Sequence, residues 1–358
     1  MKLLCICDGY INRECLPELR KLETLACDVV YYDNPLLSSL EKTMECMSQT
    51  EQKGAEGYPV PQELFKLVKD VDIIVVHMTP IPRELIIAAE NLKFIAVMRG
   101  GCDNLDIESL DEKNVKIVNA AWRSSNSVAD ATVGMILAET RNIARSYAAL
   151  KNNNSWRKVY PNSGNIHDLA TRTIGIIGFG HIGQRVAQRL KGFEANIIVH
   201  DPYISDETII GQGYQPVTKE KLCREADIIT IHLRQSSLTE KFIGKEELNM
   251  MKPTATLVNT ARARLVDENA LVQALEEGGI QGAALDVFYD EPLPDDHPFL
   301  KLDNVTFTSH VAGASDDTRI NSLTIIFSEL KRFLNGEEPI SVVRSEKWQV
   351  LGKYKKSM

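Results

Sequence analysis

The 358-residue chain contains no uninterrupted apolar stretch approaching the ~20 residues of a membrane span, which argues against a membrane-embedded protein. Its first apolar run, Leu3 to Cys7, is too short for the core of a secretory signal, and Asp8 and Gly9 interrupt it. Basic residues are not in excess. There are 41 Lys and Arg against 49 Asp and Glu, a net charge of −8, with a pI near 5.5. That balance argues against a nucleic-acid or membrane-surface partner. Cysteines are few, scattered and odd in number, seven in all, and no Cys/His cluster has metal-ligand spacing. Buried thiols in a reducing cytoplasm are therefore expected, with neither disulfides nor a metal site. What is present fits an ordinary globular protein, 44% hydrophobic and 25% charged, long enough for two domains with separate cores.

The most informative stretch runs from Thr173 to Asp201. Ile174, Ile176 and Ile177 form a β-branched run typical of a strand covered on both faces. The run breaks into Gly178, Gly180 and Gly183, and a helix with Ile182, Val186 and Leu190 on one face follows at once. Each glycine answers a different need. Gly178 permits the tight turn, Gly180 clears the path of a pyrophosphate, and Gly183 lets helix and strand pack closely. The helix N-terminus offers free N–H groups to the diphosphate. A second apolar run, Ile197 to Val199, ends at Asp201, whose carboxylate can accept both hydroxyls of an adenosine ribose. S-adenosylmethionine enzymes use similar glycines, so this stretch alone leaves the cofactor open.

Upstream, apolar runs at 2–7, 29–32, 71–76, 94–98 and 116–119 read as strands, with helices at Glu14–Leu25 and Arg83–Glu90. This βα alternation predicts a first α/β domain with a parallel sheet. Residues 34–61 show no clear period and read as a long loop with some helix, a lid or decoration. His77 ends the third strand and is expected to face solvent or a cleft. Arg99-Gly100-Gly101 follows the fourth strand, where paired glycines permit a ligand to approach backbone N–H groups but equally suit a tight turn. Ser127 and Asp130 have capping-box spacing and predict the start of a long helix striped with Val133, Ile136, Leu137, Thr140, Ala144 and Tyr147. The stripe suits a core or a subunit interface.

Beyond Asp201 the alternation continues, and polar residues fall at strand ends: His232, then Asn259 to Arg262, Asp286 and His310. In an open α/β sheet the carboxyl edge is where ligands bind. Three residues carry the chemistry for a 2-oxo acid. Arg262 offers a planar charged fork for a carboxylate and the adjacent carbonyl. His310 can move a proton near neutral pH. Glu291 could hold His310. Singly, each has a plainer reading: a surface ion pair, a hydrogen-bonded core histidine and a solvated turn.

Together these residues resemble the D-isomer-specific 2-hydroxyacid dehydrogenase family. IIGFGHIG with HDP is similar to its nucleotide signature, LVNTARARLVDENAL to its arginine motif, ALDVFYDEPLPDDHPF to its acid motif and TSHVAG to its histidine motif. The likeness runs from about Leu92 to Thr318. The resemblance implies two doubly wound parallel-sheet α/β domains: a Rossmann dinucleotide-binding domain (126–313) inserted into a flavodoxin-like substrate domain (1–125 and 314–358). It implies Arg262, Glu291 and His310 as the catalytic set. The cofactor would be lined by Gly178, Gly180, His181, Ile182, Gly183, Asp201, Thr260, Ala261 and Asp286, the last near the nicotinamide amide. Substrate would meet Arg99, Gly100 and Gly101 as well as Arg262. The expected activity is hydride transfer between NAD(H) and a small D-2-hydroxy or 2-oxo acid, in a cytoplasmic homodimer. Asp201 favours NAD over NADP, since it would repel a 2′-phosphate. Two other activities share the fold: a non-catalytic NAD(H)-sensing corepressor, and a phosphite or formate dehydrogenase. The intact Arg/Glu/His set speaks against the first, and Glu291 against the formate type. Ala263, Ala121-Trp122 and Asp130 depart from the family's usual residues.

Overall fold

The computed structural model describes residues 1–13, 17–25 and 27–343. The chain forms two compact units, one from Met1–Ser124 and the return of the chain at Ser315, the other from Ser125–Ala314. The first begins with strands β1 (Lys2–Cys7), β2 (Asp28–Asp33), β3 (Ile73–Val76), β4 (Phe94–Val97) and β5 (Lys116–Asn119). The second holds β6 (Thr173–Ile177), β7 (Asn196–His200), β8 (Gln215–Pro216), β9 (Ile228–Ile231), β10 (Thr256–Asn259), β11 (Gly282–Leu285) and β12 (Val305–Phe307). A last short strand, β13 (Val342–Val343), returns to the first unit.

In the first unit the sheet order is β13-β5-β4-β3-β1-β2, with β1 to β5 parallel and β13 antiparallel on β5. This is the flavodoxin-like order, and its direction of winding reverses between β1 and β3. The central strands read IIVV and FIAV and are buried throughout, as a parallel sheet covered on both faces requires. Successive residues alternate between two cores. Leu4, Ile6, Ile74 and Val76 enter one, while Leu3, Cys5, Ile73 and Val75 enter the other.

Three local expectations change in the structure. Pro17–Thr24 is a 3₁₀ helix that buries Leu19 and Leu22, whereas Glu14, Cys15 and Leu16 of the expected α-helix lie outside the described residues. Residues 34–61 contain a 14-residue α-helix, Leu40–Lys53, capped by the Ser39 hydroxyl on the Lys42 amide. Its apolar face is short, because only Thr43, Cys46 and Thr50 are buried, so no strong period shows in the sequence. The helix expected from Ser127 begins at Ser125 and ends at Thr140, and a second helix occupies Ile143–Asn153. Between them Asn142 takes a left-handed conformation (φ 57°) that breaks the run. Ser127 therefore lies inside the helix and is not its cap. Residues 344–358, part of the expected first domain, lie outside the described residues.

The second unit's seven strands are all parallel in the order β12-β11-β10-β9-β6-β7-β8. That is the doubly wound dinucleotide-binding order, and it reverses at β6. The carboxyl ends of its strands carry, in spatial sequence, His310, Asp286, Arg262, His232, Gly178 and Asp201. Among the described residues no helix is long and apolar enough to cross a membrane.

Candidate active site

The turn after β6 has the geometry that its glycines foretell. Gly178 sits at φ 91°, a region that L side chains avoid, and a Cβ there would stand 2.8 Å from the His232 carbonyl carbon. A Cβ on Gly183 would come within 2.0 Å of the Gly178 carbonyl oxygen. Gly180 differs, since a Cβ there would meet nothing within 4 Å. Open space therefore lies above the backbone at the N-cap of the helix His181–Lys191, where the first N–H groups have no partners within the helix. An anionic diphosphate fits this cradle. His181 is exposed and Ile182 half-buried on the first turn. Asp201 accepts hydrogen bonds from the amides of Phe179 (2.7 Å), Tyr203 (2.8 Å) and Ile204 (3.2 Å), which fix its carboxylate beside the turn. A carboxylate has about four acceptor sites, so capacity remains for a ribose hydroxyl.

The turn after β10 is fixed by Asn259. Its side-chain amide donates to the Arg262 carbonyl (2.9 Å) and its oxygen accepts from the Ala261 amide (3.0 Å). Thr260 is buried and its hydroxyl meets that of Thr132 at 2.8 Å. Arg262 projects from this closed turn with its side chain exposed. Its Nη1 donates to the Ala261 carbonyl (2.7 Å), and no carboxylate among the described residues lies within 4 Å. A guanidinium without an internal counter-charge, on a rigid turn, is available to an acid.

Glu291 and His310 come together across 19 residues. Oε2 of Glu291 lies 2.7 Å from Nδ1 of His310, and its Oε1 accepts from the Phe288 amide at 3.0 Å. His310 itself has φ 55°. The residue that holds this left-handed loop is Asp286, which is 1% exposed. Its Oδ1 accepts from the Thr308 hydroxyl (2.5 Å) and the Val311 amide (2.9 Å), and its Oδ2 from the Ala312 amide (2.9 Å). The Asp286 carboxylate is thus turned into its own chain. These three hydrogen bonds tie Asp286 to the segment on either side of His310.

In the first unit Gly100 and Gly101 follow β4 directly. The Asn119 side chain donates to the Gly100 carbonyl (2.7 Å), and the Gly101 amide has no partner among the described residues. Arg99 is buried, and its Nη2 meets Glu51 at 3.1 Å and its Nη1 the Met78 sulfur at 3.1 Å. Its fork is therefore engaged within the unit. His77 does not face solvent. It is buried, with Nδ1 2.9 Å from Asp8 Oδ2.

Residues 133–312 match the model of the D-isomer specific 2-hydroxyacid dehydrogenase, NAD binding domain. The chain belongs to this family. Its second unit is the family's NAD-binding domain, and the turn at Gly178 to Gly183 fits that cofactor on the geometry above. Over 312 residues the chain is 41% identical to a D-3-phosphoglycerate dehydrogenase of Methanocaldococcus jannaschii, a match covering 87% of this chain and 58% of that protein. A glyoxylate reductase of Korarchaeum cryptofilum is 35% identical over 81% of this chain and 88% of its own length. A hydroxypyruvate reductase of Thermotoga maritima is 34% identical over 84% and 98%. Among solved structures, the TT0316 protein from Thermus thermophilus aligns with a TM-score of 0.69 at 28% identity, covering 96% of this chain and 100% of that one. The NAD-complexed D-isomer specific 2-hydroxyacid dehydrogenase of Lactobacillus delbrueckii ssp. bulgaricus shares the fold, with a TM-score of 0.76 at 21% identity and 96% and 100% coverage.

Within this family member, sequence reasoning missed several residues that build the two edges. Asn259 was legible as a strand-end polar residue, but its double clamp was not. Asp8 terminates β1 and anchors His77, yet its only signal was its place after an apolar run. Arg123 lies beyond β5 with no motif around it.

Proposed function

We propose that the protein is an NAD-dependent oxidoreductase that transfers a hydride between NAD(H) and a small D-2-hydroxy acid or 2-oxo acid. The observation that carries this reading is the 2.7 Å His310–Glu291 pair, held by Asp286 and separated by a single strand from the turn that presents an uncompensated Arg262. Arg262 binds the substrate carboxylate and polarises the neighbouring carbonyl, a task suited to its two parallel N–H donors. Glu291 accepts from Nδ1 of His310, which leaves Nε2 to exchange the proton of the substrate hydroxyl. In reduction His310 gives that proton to the substrate oxygen, and in oxidation it takes it back. When bound, the nicotinamide supplies or accepts the hydride. Asp201 holds the adenosine ribose and selects NAD.

The first unit is the substrate unit in this reading, with the Gly100 and Gly101 backbone taking a carboxylate. Ile143, Tyr147 and Leu150 are exposed at helical spacing on the helix Ile143–Asn153 and supply the contact of a homodimer. The partners are small acids, with no role for nucleic acid or a membrane.

A panel of 2-oxo acids with NADH, followed by the absorbance of the reduced nicotinamide, tests the reading. Turnover with at least one acid is expected. His310→Gln should lower it by about 10²–10⁴-fold, the usual contribution of a general acid–base, while NADH binding persists. Absence of NADH oxidation with every acid would sink the activity.

A further inference from the structure

The carboxyl edge of the first unit's sheet carries ionisable side chains after four neighbouring strands: Asp8 after β1, His77 after β3, Arg99 after β4 and Arg123 beyond β5. Their pairing is uneven. Asp8 is saturated, because Oδ1 accepts from the amides of Tyr10 and Ile11, both at 2.8 Å, and Oδ2 from His77 (2.9 Å) and the Met78 amide (3.1 Å). Arg99 has Glu51 at 3.1 Å. Arg123 has no carboxylate within 4 Å among the described residues. The contacts of its guanidinium with them are two long ones, at 3.4 Å each, from Nη1 to the Met98 carbonyl and the Ser322 hydroxyl. It is also half-buried, and burial, against the pull of nearby Tyr10 and Asp8 and with the push of Arg99, holds its pKa below the usual arginine range.

A guanidinium partly withdrawn from water with no counter-charge is costly unless something anionic completes it. The protein's own acids form no ion pair with it: Asp8 acts on it from a distance but has no acceptor site left, and Glu51 is taken by Arg99. The site lies on the carboxyl edge of the sheet, the edge at which open α/β sheets bind ligands. We infer that Arg123 is the charge of an anion site on the first unit, one that takes a carboxylate or a phosphate group.

Binding tests the site without turnover. The thermal midpoint of the whole protein is measured against inorganic phosphate and against succinate, with acetate at matched ionic strength as control. A saturable rise with phosphate or with succinate is expected, and which of the two gives it identifies the acidic group. Arg123→Gln should weaken that response at least about tenfold, and Arg123→Lys should keep part of it, since charge persists without the fork. No saturable response, or the same response in Arg123→Gln, overturns the site.

Discussion

Asp286→Asn is the sharpest test of how the second unit holds His310. The wild-type carboxylate accepts from the Thr308 hydroxyl and the Val311 amide on one oxygen and from the Ala312 amide on the other, and it is 1% exposed. Asparagine has nearly the same shape but keeps one acceptor oxygen. If that oxygen stays with Thr308 and Val311, the new NH₂ faces the Ala312 N–H, donor against donor. One charge-assisted hydrogen bond is lost, about 1.5–3 kcal/mol, and a buried donor is left unsatisfied, about 1–3 kcal/mol. The sum is roughly 2.5–6 kcal/mol. For a unit of this size each kcal/mol moves the midpoint by about 2–4 °C, so a drop of order 10 °C is expected. Because His310 lies between Thr308 and Val311 at φ 55°, release of these bonds also frees its loop. kcat should therefore fall by one order of magnitude or more, with KM for NADH changed little. Thermal melting followed at two wavelengths, with steady-state kinetics, reads both effects. A midpoint within about 2 °C of wild type, by order of magnitude no loss, would refute the positioning role, and a selective rise in KM for NADH would return Asp286 to the cofactor.

Three further outcomes follow from the same geometry. Gly180→Ala places its Cβ in open space, so the melting midpoint should hold while NADH affinity weakens; Gly183→Ala meets the Gly178 oxygen at 2.0 Å and should lower stability and affinity together. Equal losses of stability in both would contradict the cradle. NADH should surpass NADPH in kcat/KM, because Asp201 is held in place by three amides and repels a 2′-phosphate; equal use of the two would sink that assignment. His232 is the pH probe. Burial pushes its imidazole down to about 3 from 6.5, so the unfolded chain binds the proton more readily. The stabilisation is then present above about pH 6.5 and is lost as pH falls toward 3. The urea midpoint should decline with acid less steeply in His232→Gln than in wild type, and parallel curves would refute the assignment.

The sequence alone determined whatever depends on neighbours along the chain. A buried parallel strand must be apolar for several residues in a row, so the βα rhythm was readable, and a dinucleotide turn needs its glycines at fixed offsets within one short segment. The arginine, acid and histidine motifs were readable for the same reason, because each is local. Residues 34–61 were not, since their helix buries only Thr43, Cys46 and Thr50 and so leaves no stripe. The helix expected from Ser127 differs at its middle, because a single left-handed Asn142 breaks a run whose propensity continues. Tertiary structure decided which charges are paired. His77 meets Asp8 across 69 residues and Arg99 meets Glu51 across 48, pairings set by strand order and by where an intervening helix docks. Those same pairings leave Arg123 without a carboxylate within 4 Å among the described residues. The charge of a side chain is written in the sequence, but its counter-charge is chosen by packing between segments far apart in the chain.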